Sequence, residues 1–308
     1  FINDYRDSGW LPRWTSGNYK NCMPSTLFDA VIAHGAACGI INGELLETAF
    51  SAMEKQANEV SLHPAFGRLG CLEYKALGYV PRDKYRESVN LTLDAAYCDW
   101  CVGTVAKLLG KNRQAEEYFA RSGSYRSLFD KSRGFMVGRN SDGTFNADFD
   151  PYAWGGDYTE AGAFQTSFAV PHDLEGLAAL FGGKEEFIKR LDELFDTPTE
   201  FSVGGYGTEI HEMTEFAAQG FGQCAICNQP SFHLPFLYAY FGKPEKTEYW
   251  VRRICSEGFS KNGFPGDEDN GSMAAWFIFA ALGMYPVCPG KNELVRFEGL
   301  GKAKLCEK

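Results

Sequence analysis

Along this chain apolar residues recur every three or four positions and are interrupted by polar or glycine-rich breaks, which is the spacing of helices buried on one side. Leu27, Val31, Ala33 and Cys38 mark a helix over about 25–40, and a second follows over 44–60 after the Asn42-Gly43 break. A long helix is predicted over 88–109, stopped by Gly110, and another over 112–129. The segment 130–157 is dense in Gly, Asp, Asn and Pro and reads as a long loop, a length usually reserved for function. Helical spacing resumes over about 159–170, 172–181, 184–195, 207–221, 230–241, 246–257 and 272–283, and the single convincing strand is 293–297. The opening residues FINDYRDSGWLPRW read as the end of a helix running into an ordered loop. Helix follows helix without the fixed-period self-similarity of a repeat array. The pattern therefore predicts an all-α protein, a toroid of paired helices with its long loops on one side.

Composition narrows this in a few respects. The 308 residues suffice for one large domain or two ordinary ones, and 44% hydrophobic residues can build a sizeable core. A net charge of −10 argues against nucleic acid or anionic membrane as a partner. No apolar stretch is long enough to cross a bilayer and no secretory signal opens the chain; the opening residues, which read as the end of a helix, suggest instead a piece of a longer protein or one whose start was removed. Ten cysteines are many; Cys98/Cys101 and Cys224/Cys227 have CxxC spacing. The two pairs lie far apart, in apolar helical text, which suits buried thiols better than a zinc ribbon. That many thiols lean towards a reducing compartment.

The chemistry concentrates in four acid-bearing stretches. One is FPGDEDNGSMAAW, residues 264–276, where Asp267, Glu268 and Asp269 stand between a Pro-Gly turn and an apolar helix. A helix N-terminus favours anions, so an acidic capping loop is the simple reading. The others are Asp157-Tyr158-Thr159-Glu160, the capping sequence Pro171-His172-Asp173, and Glu209 to Glu215. HEMTE resembles half of a zinc-protease motif, but Glu215 stands where the second histidine must be, so that reading fails. Carboxylates on separate loops with Trp154, Tyr158, Phe164 and Trp276 between them are what a glycosidase needs: one protonated acid for the leaving oxygen and one carboxylate for water or attack. Glu160 serves as that acid only if burial outweighs the dipole of the helix predicted to begin beside it.

Five ordered blocks together resemble glycoside hydrolase family 92, the calcium-dependent exo-α-mannosidases. They are GWLPRW, TLDAAYCDWCVGTVAKLLGK, FDPYAWGGDYTEAGAFQTSFAVPHDLEGLAALFGGKEEF, EIHEMTEFAAQGFGQCAICNQPSFH and GDEDNGSMAAWFIFAALGMYPVCPG. The resemblance implies a β-sandwich followed by an (α/α)6 catalytic toroid. Residues 1–308 would then be a partial toroid, short β structure would begin near 291, and the N-terminal β-sandwich domain would lie upstream. It implies removal of terminal α-mannose from glycans with inversion, and a Ca2+ ion that binds mannose O2 and O3. Carried over, Glu160 is the general acid, Asp269 and Asp267 are the general base and its helper, and His211 and Glu212 contact the leaving sugar of α-1,2 linkages. Asp269, Asn228 and Gln229 fall near the calcium site. The chain departs from the family where YTEGNAW becomes YTEAGAF, where Ile226 and Phe232 replace histidines, and where Cys98 replaces an aspartate. Members are usually secreted or periplasmic. The other readings are a non-catalytic mannoside-binding remnant and a related (α/α)6 hydrolase acting on another sugar.

Overall fold

The structure is a computed structural model that describes residues 1–15, 19–23 and 26–301. It is mostly helical, with three two-stranded antiparallel hairpins among the described residues. In chain order the helices are α1 (Ile2–Ser8), α2 (Phe28–Ala37), α3 (Gly43–Asn58), α4 (Cys71–Leu77), α5 (Ser88–Leu108), α6 (Asn112–Ser122), α7 (Ala163–Thr166), α8 (Leu174–Phe181), α9 (Lys184–Asp196), α10 (His211–Ala217), α11 (Leu234–Tyr240), α12 (Pro244–Glu257) and α13 (Ser272–Leu282). Consecutive helices pair: α5 with α6, α8 with α9, α11 with α12. The hairpins join β1 (Trp14–Thr15) to β2 (Tyr19–Lys20), β3 (Phe129–Asp130) to β4 (Phe135–Met136), and β5 (Met284–Tyr285) to β6 (Val295–Arg296). The strand expected at 293–297 is thus β6, while the start of the helix expected at 25 lies partly outside the described residues.

Helix α5 is the spine. Its apolar residues point every way, and each side is covered: Val89, Leu93 and Ala96 join the largest core, Cys101, Val102 and Val105 a second core with α2, α3 and α6, and Leu91 and Ala95 a third with Tyr74. A helix apolar all round belongs inside a protein. One buried charge network ties this half together. Arg68 donates to Asp99 on α5 at 2.6 Å and to Asp29 on α2 at 2.9 Å, and Arg121 on α6 also holds Asp99.

Several expectations are shortened by local backbone. The helix expected over 159–170 is reduced to the single turn α7, because Glu160 has φ 47° and Gly162 is extended. The helix over 207–221 shrinks to α10, with left-handed Gly207 before it and Gly220 after it. The end of the 112–129 helix tightens into a 3₁₀ segment, Gly123–Leu128. Helices α1 and α4 are short, seven residues each, and α4 lies in a stretch where spacing predicted no helix.

Within the long loop, residues 156–160 are clasped to the start of α5. Glu87 N–H donates to Gly156 O (2.6 Å), Val89 N–H to Asp157 O (3.0 Å), and Thr159 N–H to Asn90 Oδ1 (3.0 Å). The buried Asp157 carboxylate receives Arg82 Nε at 2.9 Å and Asn146 Nδ2 at 3.1 Å. Asp157 is therefore a structural anchor, and it holds the turn that carries Glu160.

Candidate active site

Four segments distant in sequence meet in one place: the turn around Glu160, helix α10, the Cys227–Gln229 turn and the loop 264–271. Glu160 is half-buried. Its N–H donates to the Tyr206 hydroxyl (2.8 Å), and its Oε2 accepts from Asn228 Nδ2 (2.8 Å). Asn228 is 5% exposed, and its own oxygen accepts the Gln229 N–H at 2.9 Å. The Gln229 side-chain amide in turn donates to Asp269 Oδ2. A chain of contacts thus runs from Glu160 through two adjacent amides to Asp269. Burial holds the Glu160 carboxyl above its ordinary range, against the Asn228 hydrogen bond, and the charges of Glu212 and Asp269 push in the same direction as burial. Glu160 lies ahead of the α7 N-cap rather than inside a helix, so burial prevails over any dipole.

Asp267 and Asp269 are exposed, whereas the acid between them has a different task. Glu268 accepts the Gly271 N–H (2.7 Å) and the Ala274 N–H (3.2 Å), capping α13. The capping-loop reading of this cluster therefore holds for Glu268. Asp267 turns to α10 and meets His211 Nε2 at 3.2 Å, while His211 Nδ1 lies 3.2 Å from Glu212. Burial works against a charged His211, but Glu212, the Asp267 hydrogen bond and Glu215 together outweigh it and raise its pKa. His211, Glu215 and Asp267 bring one potential metal-ligating atom each within 4.8 Å of one another.

Backbone strain concentrates here as well. Of five non-glycine residues in the left-handed region among the described residues, Glu87, Glu160, Asp269, Asn270 and Asn292, the first three are acids, and each stands at this site or at the clasp that holds it. Such conformations persist where the surroundings enforce them, commonly at functional sites.

The sequence profile of the glycosyl hydrolase family 92 catalytic domain matches residues 1–298. The chain belongs to this family. A solved family 92 inverting mannosidase from Bacteroides thetaiotaomicron VPI-5482 is 38% identical, with a TM-score of 0.85 over 97% of this chain and 41% of that one. A second family 92 α-mannosidase of Bacteroides thetaiotaomicron, solved with mannoimidazole, is 32% identical with a TM-score of 0.85, covering 97% of this chain and 39% of its own. An uncharacterized secreted glycosidase of the fungus Arthroderma benhamiae is 28% identical over 94% of this chain and 39% of its own length. This family 92 chain therefore spans about two fifths of the relatives it matches.

In this family member the residues expected to act fall into two groups that meet. Glu160, Asn228, Gln229 and Asp269 form one, and His211, Glu212 and Asp267 the other. The aromatic residues do not line the site as expected. Trp154, Tyr158 and Trp276 are core, with Tyr158 donating to Met136 O and Trp276 to Phe232 O. Asp173 is the predicted cap, accepting the Gly176 N–H at 3.0 Å, and His172 is buried beside it. Both CxxC pairs are buried; burial pushes the Cys227 thiol up to about 12 and raises the other three well above the ordinary thiol range. Cys306 lies outside the described residues. Tyr206 and Glu87 were missed, because nothing in their local spacing distinguishes them from ordinary loop residues, whereas Glu215 was noted in the acid-bearing stretch but given no role.

Proposed function

We propose that this chain is the helical catalytic part of a Ca2+-dependent inverting exo-α-mannosidase. In this reading it is most of an (α/α)6 toroid, completed by an N-terminal β-sandwich in the full-length protein, and it removes terminal mannose from mannose-containing glycans. The observation that carries the reading is the Glu160–Asn228–Gln229–Asp269 chain. It ties a half-buried carboxyl, whose hold on its proton burial strengthens, to a second acid side chain exposed to water. An inverting enzyme needs that division of labour. Glu160 protonates the leaving oxygen, and Asp269, assisted by Asp267, takes the proton of the attacking water. His211 and Glu212 contact the leaving sugar, which makes α-1,2 linkages the preferred substrate.

The donors at this site suit calcium. Asp269 and Gln229 each carry hard oxygens on side chains joined by the Gln229 Nε2–Asp269 Oδ2 hydrogen bond, while both ends of the Asn228 amide already hold protein partners. Asp269 and Gln229 are therefore its principal protein ligands, with Asn228 fixing their placement. When bound, the ion polarises and orients two hydroxyls of the terminal sugar. The mannoimidazole complex and the inverting relative support the substrate class. The fungal relative's description as secreted supports export, which the buried thiols do not oppose.

The test is Glu160→Gln in the full-length protein. Loss of kcat should reach about 10²–10⁴-fold on α-1,2-mannobiose, whose leaving sugar needs a proton, and be much smaller on 4-nitrophenyl α-mannoside. Equal loss on both would remove Glu160 from the acid role. Mannoside binding without turnover by the wild type would favour the binding-remnant reading.

A further inference from the structure

Glu160 stands in the left-handed region at φ 47°, a conformation that a glutamate keeps only where its surroundings enforce it. Its side chain accepts from Asn228, but of its own backbone groups only the N–H is held among the described residues, by the Tyr206 hydroxyl at 2.8 Å. That hydroxyl makes no other hydrogen bond among the described residues. Tyr206 is in turn built to stay in place. It closes a 3₁₀ turn, Gly204–Tyr206, that is laced to the strip of chain leading to Glu160. Ser202 N–H donates to Tyr152 O at 2.8 Å, Trp154 N–H to Ser202 O at 3.1 Å, and Gly205 N–H to Trp154 O at 2.8 Å. The two strips approach so closely that a Cβ on Gly205 would stand 2.0 Å from Gly156 N. Arg86, just ahead of α5, adds a 3.0 Å bond from Nη2 to Gly205 O. The Tyr206 ring lies against Gly155, where a Cβ would come within 2.7 Å of two ring carbons.

The ring is thus fixed on the strip that ends in Glu160, and its hydroxyl is the part that meets the acid. The cleft of about 310 Å³ beside Glu160 is lined by Asn90, Asp94, Gln229 and His233 among others, and not by Tyr206. The route from Tyr206 to the reaction therefore runs through Glu160. A general acid must sit within hydrogen-bond reach of the oxygen it protonates, and misplacement by about 1 Å costs on the order of 10²-fold. Without the hydroxyl, the Glu160 N–H loses its acceptor and the turn is free to relax towards negative φ, drawing the carboxyl off Asn228.

We infer that Tyr206 is the positioning residue of the general acid: its hydroxyl holds the Glu160 N–H and so fixes the left-handed turn from which the carboxyl is presented. This rests on the mannosidase reading and goes beyond it by naming what places the acid.

The test is Tyr206→Phe in the full-length enzyme, which keeps the ring on Gly155 and removes only the hydroxyl. On α-1,2-mannobiose kcat should fall about 5- to 20-fold, and on 4-nitrophenyl α-mannoside, whose leaving group needs little help from a proton, less than about twofold. In a Glu160→Gln background the same substitution should cost less than about twofold on either substrate, because the group it positions has gone. Equal losses on the two substrates, a full further loss in the Glu160→Gln background, or unchanged kcat on the mannobiose would overturn the inference. If Tyr206→Phe does not fold, Arg86→Met, which releases Gly205 O, should show the same selective loss at about 2- to 5-fold, and an unselective loss or none overturns the inference. Glu160→Gln alone separates the two readings. If it is selective and Tyr206→Phe is not, only the positioning role falls; if it loses alike on both substrates, the acid reading falls and the positioning role with it.

Discussion

Gly266→Ala should disable the site without touching any residue that does chemistry. A Cβ at Gly266 would sit 2.1 Å from Cys227 O and 2.7 Å from Cys227 C and Cα, where ordinary contact begins at 3.4 Å. The obstacle is backbone on both sides, so no rotamer relieves it, and φ lies outside the left-handed region, so the objection is space alone. Restoring contact requires the two strands of chain to part by about 1.3 Å, the difference between 2.1 and 3.4 Å. Gly266 directly precedes Asp267, and Cys227 directly precedes Asn228. The parting therefore separates Asp269 from Gln229, whose side chains are hydrogen-bonded. Displacement of catalytic groups by about 1 Å costs on the order of 10²-fold in rate, and forcing a methyl into a packed contact costs about 1–3 kcal/mol of stability. The assay is kcat on 4-nitrophenyl α-mannoside with the full-length protein, at a temperature where thermal denaturation shows the variant folded. Gly263→Ala is the control: it lies in the same loop with nothing within 4 Å and should behave as wild type. A folded Gly266→Ala enzyme with kcat within about twofold of wild type would refute the claim that this contact sets the acid loop.

Three further outcomes are expected. Exhaustive EGTA treatment should abolish turnover by the full-length protein and added calcium should restore it, since the donors at Asp269 and Gln229 are hard oxygens; full activity after chelation would count against calcium. Burial pushes the His172 imidazole down to about 4, against 6.5 for an unperturbed histidine. The unfolded chain then binds more protons through that window, so stability should fall as pH drops from 6.5 to 4, by about 3 kcal/mol in all from this residue. A His172→Phe variant whose urea midpoint falls between pH 7 and pH 5 as steeply as that of the wild type would contradict this, since His233, also held at about 4 by burial, is common to both. Arg68→Met should cost about 3–5 kcal/mol by chemical denaturation, because it leaves Asp29 and Asp99 buried without their shared partner. A variant as stable as wild type would show that the network does not hold α2 to α5.

Local text was sufficient for most of the longer helices, though not for α4 or for the short extents of α7 and α10, and for the kinds of chemistry available. The apolar run over 88–109 and the Gly182-Gly183 break between α8 and α9 are written in adjacent residues, as is the Asp173 cap. Periodicity reports which side of a segment is dry, and α8 and α9 obey it, while α5 is apolar on every side because every side is covered. The acid blocks around Glu160, His211 and Asp267 were likewise legible, because their residue types and order were enough to suggest the family. Tertiary structure decided what each member of a block does. Three consecutive acids look alike in sequence, but Glu268 faces the free N–H groups of α13, Asp267 faces His211, and Asp269 faces Gln229. Trp154, Tyr158 and Trp276 looked equally suited to a sugar and were taken by the core. Glu160 left its expected helix because the clasp to α5 and the Tyr206 hydroxyl hold it in a left-handed turn. The physical reason is the range of the forces involved: helix spacing and capping act over a few residues, while the burial, the Asn228 hydrogen bond and the charge of Glu212 that act on Glu160 come from groups that only packing brings to it.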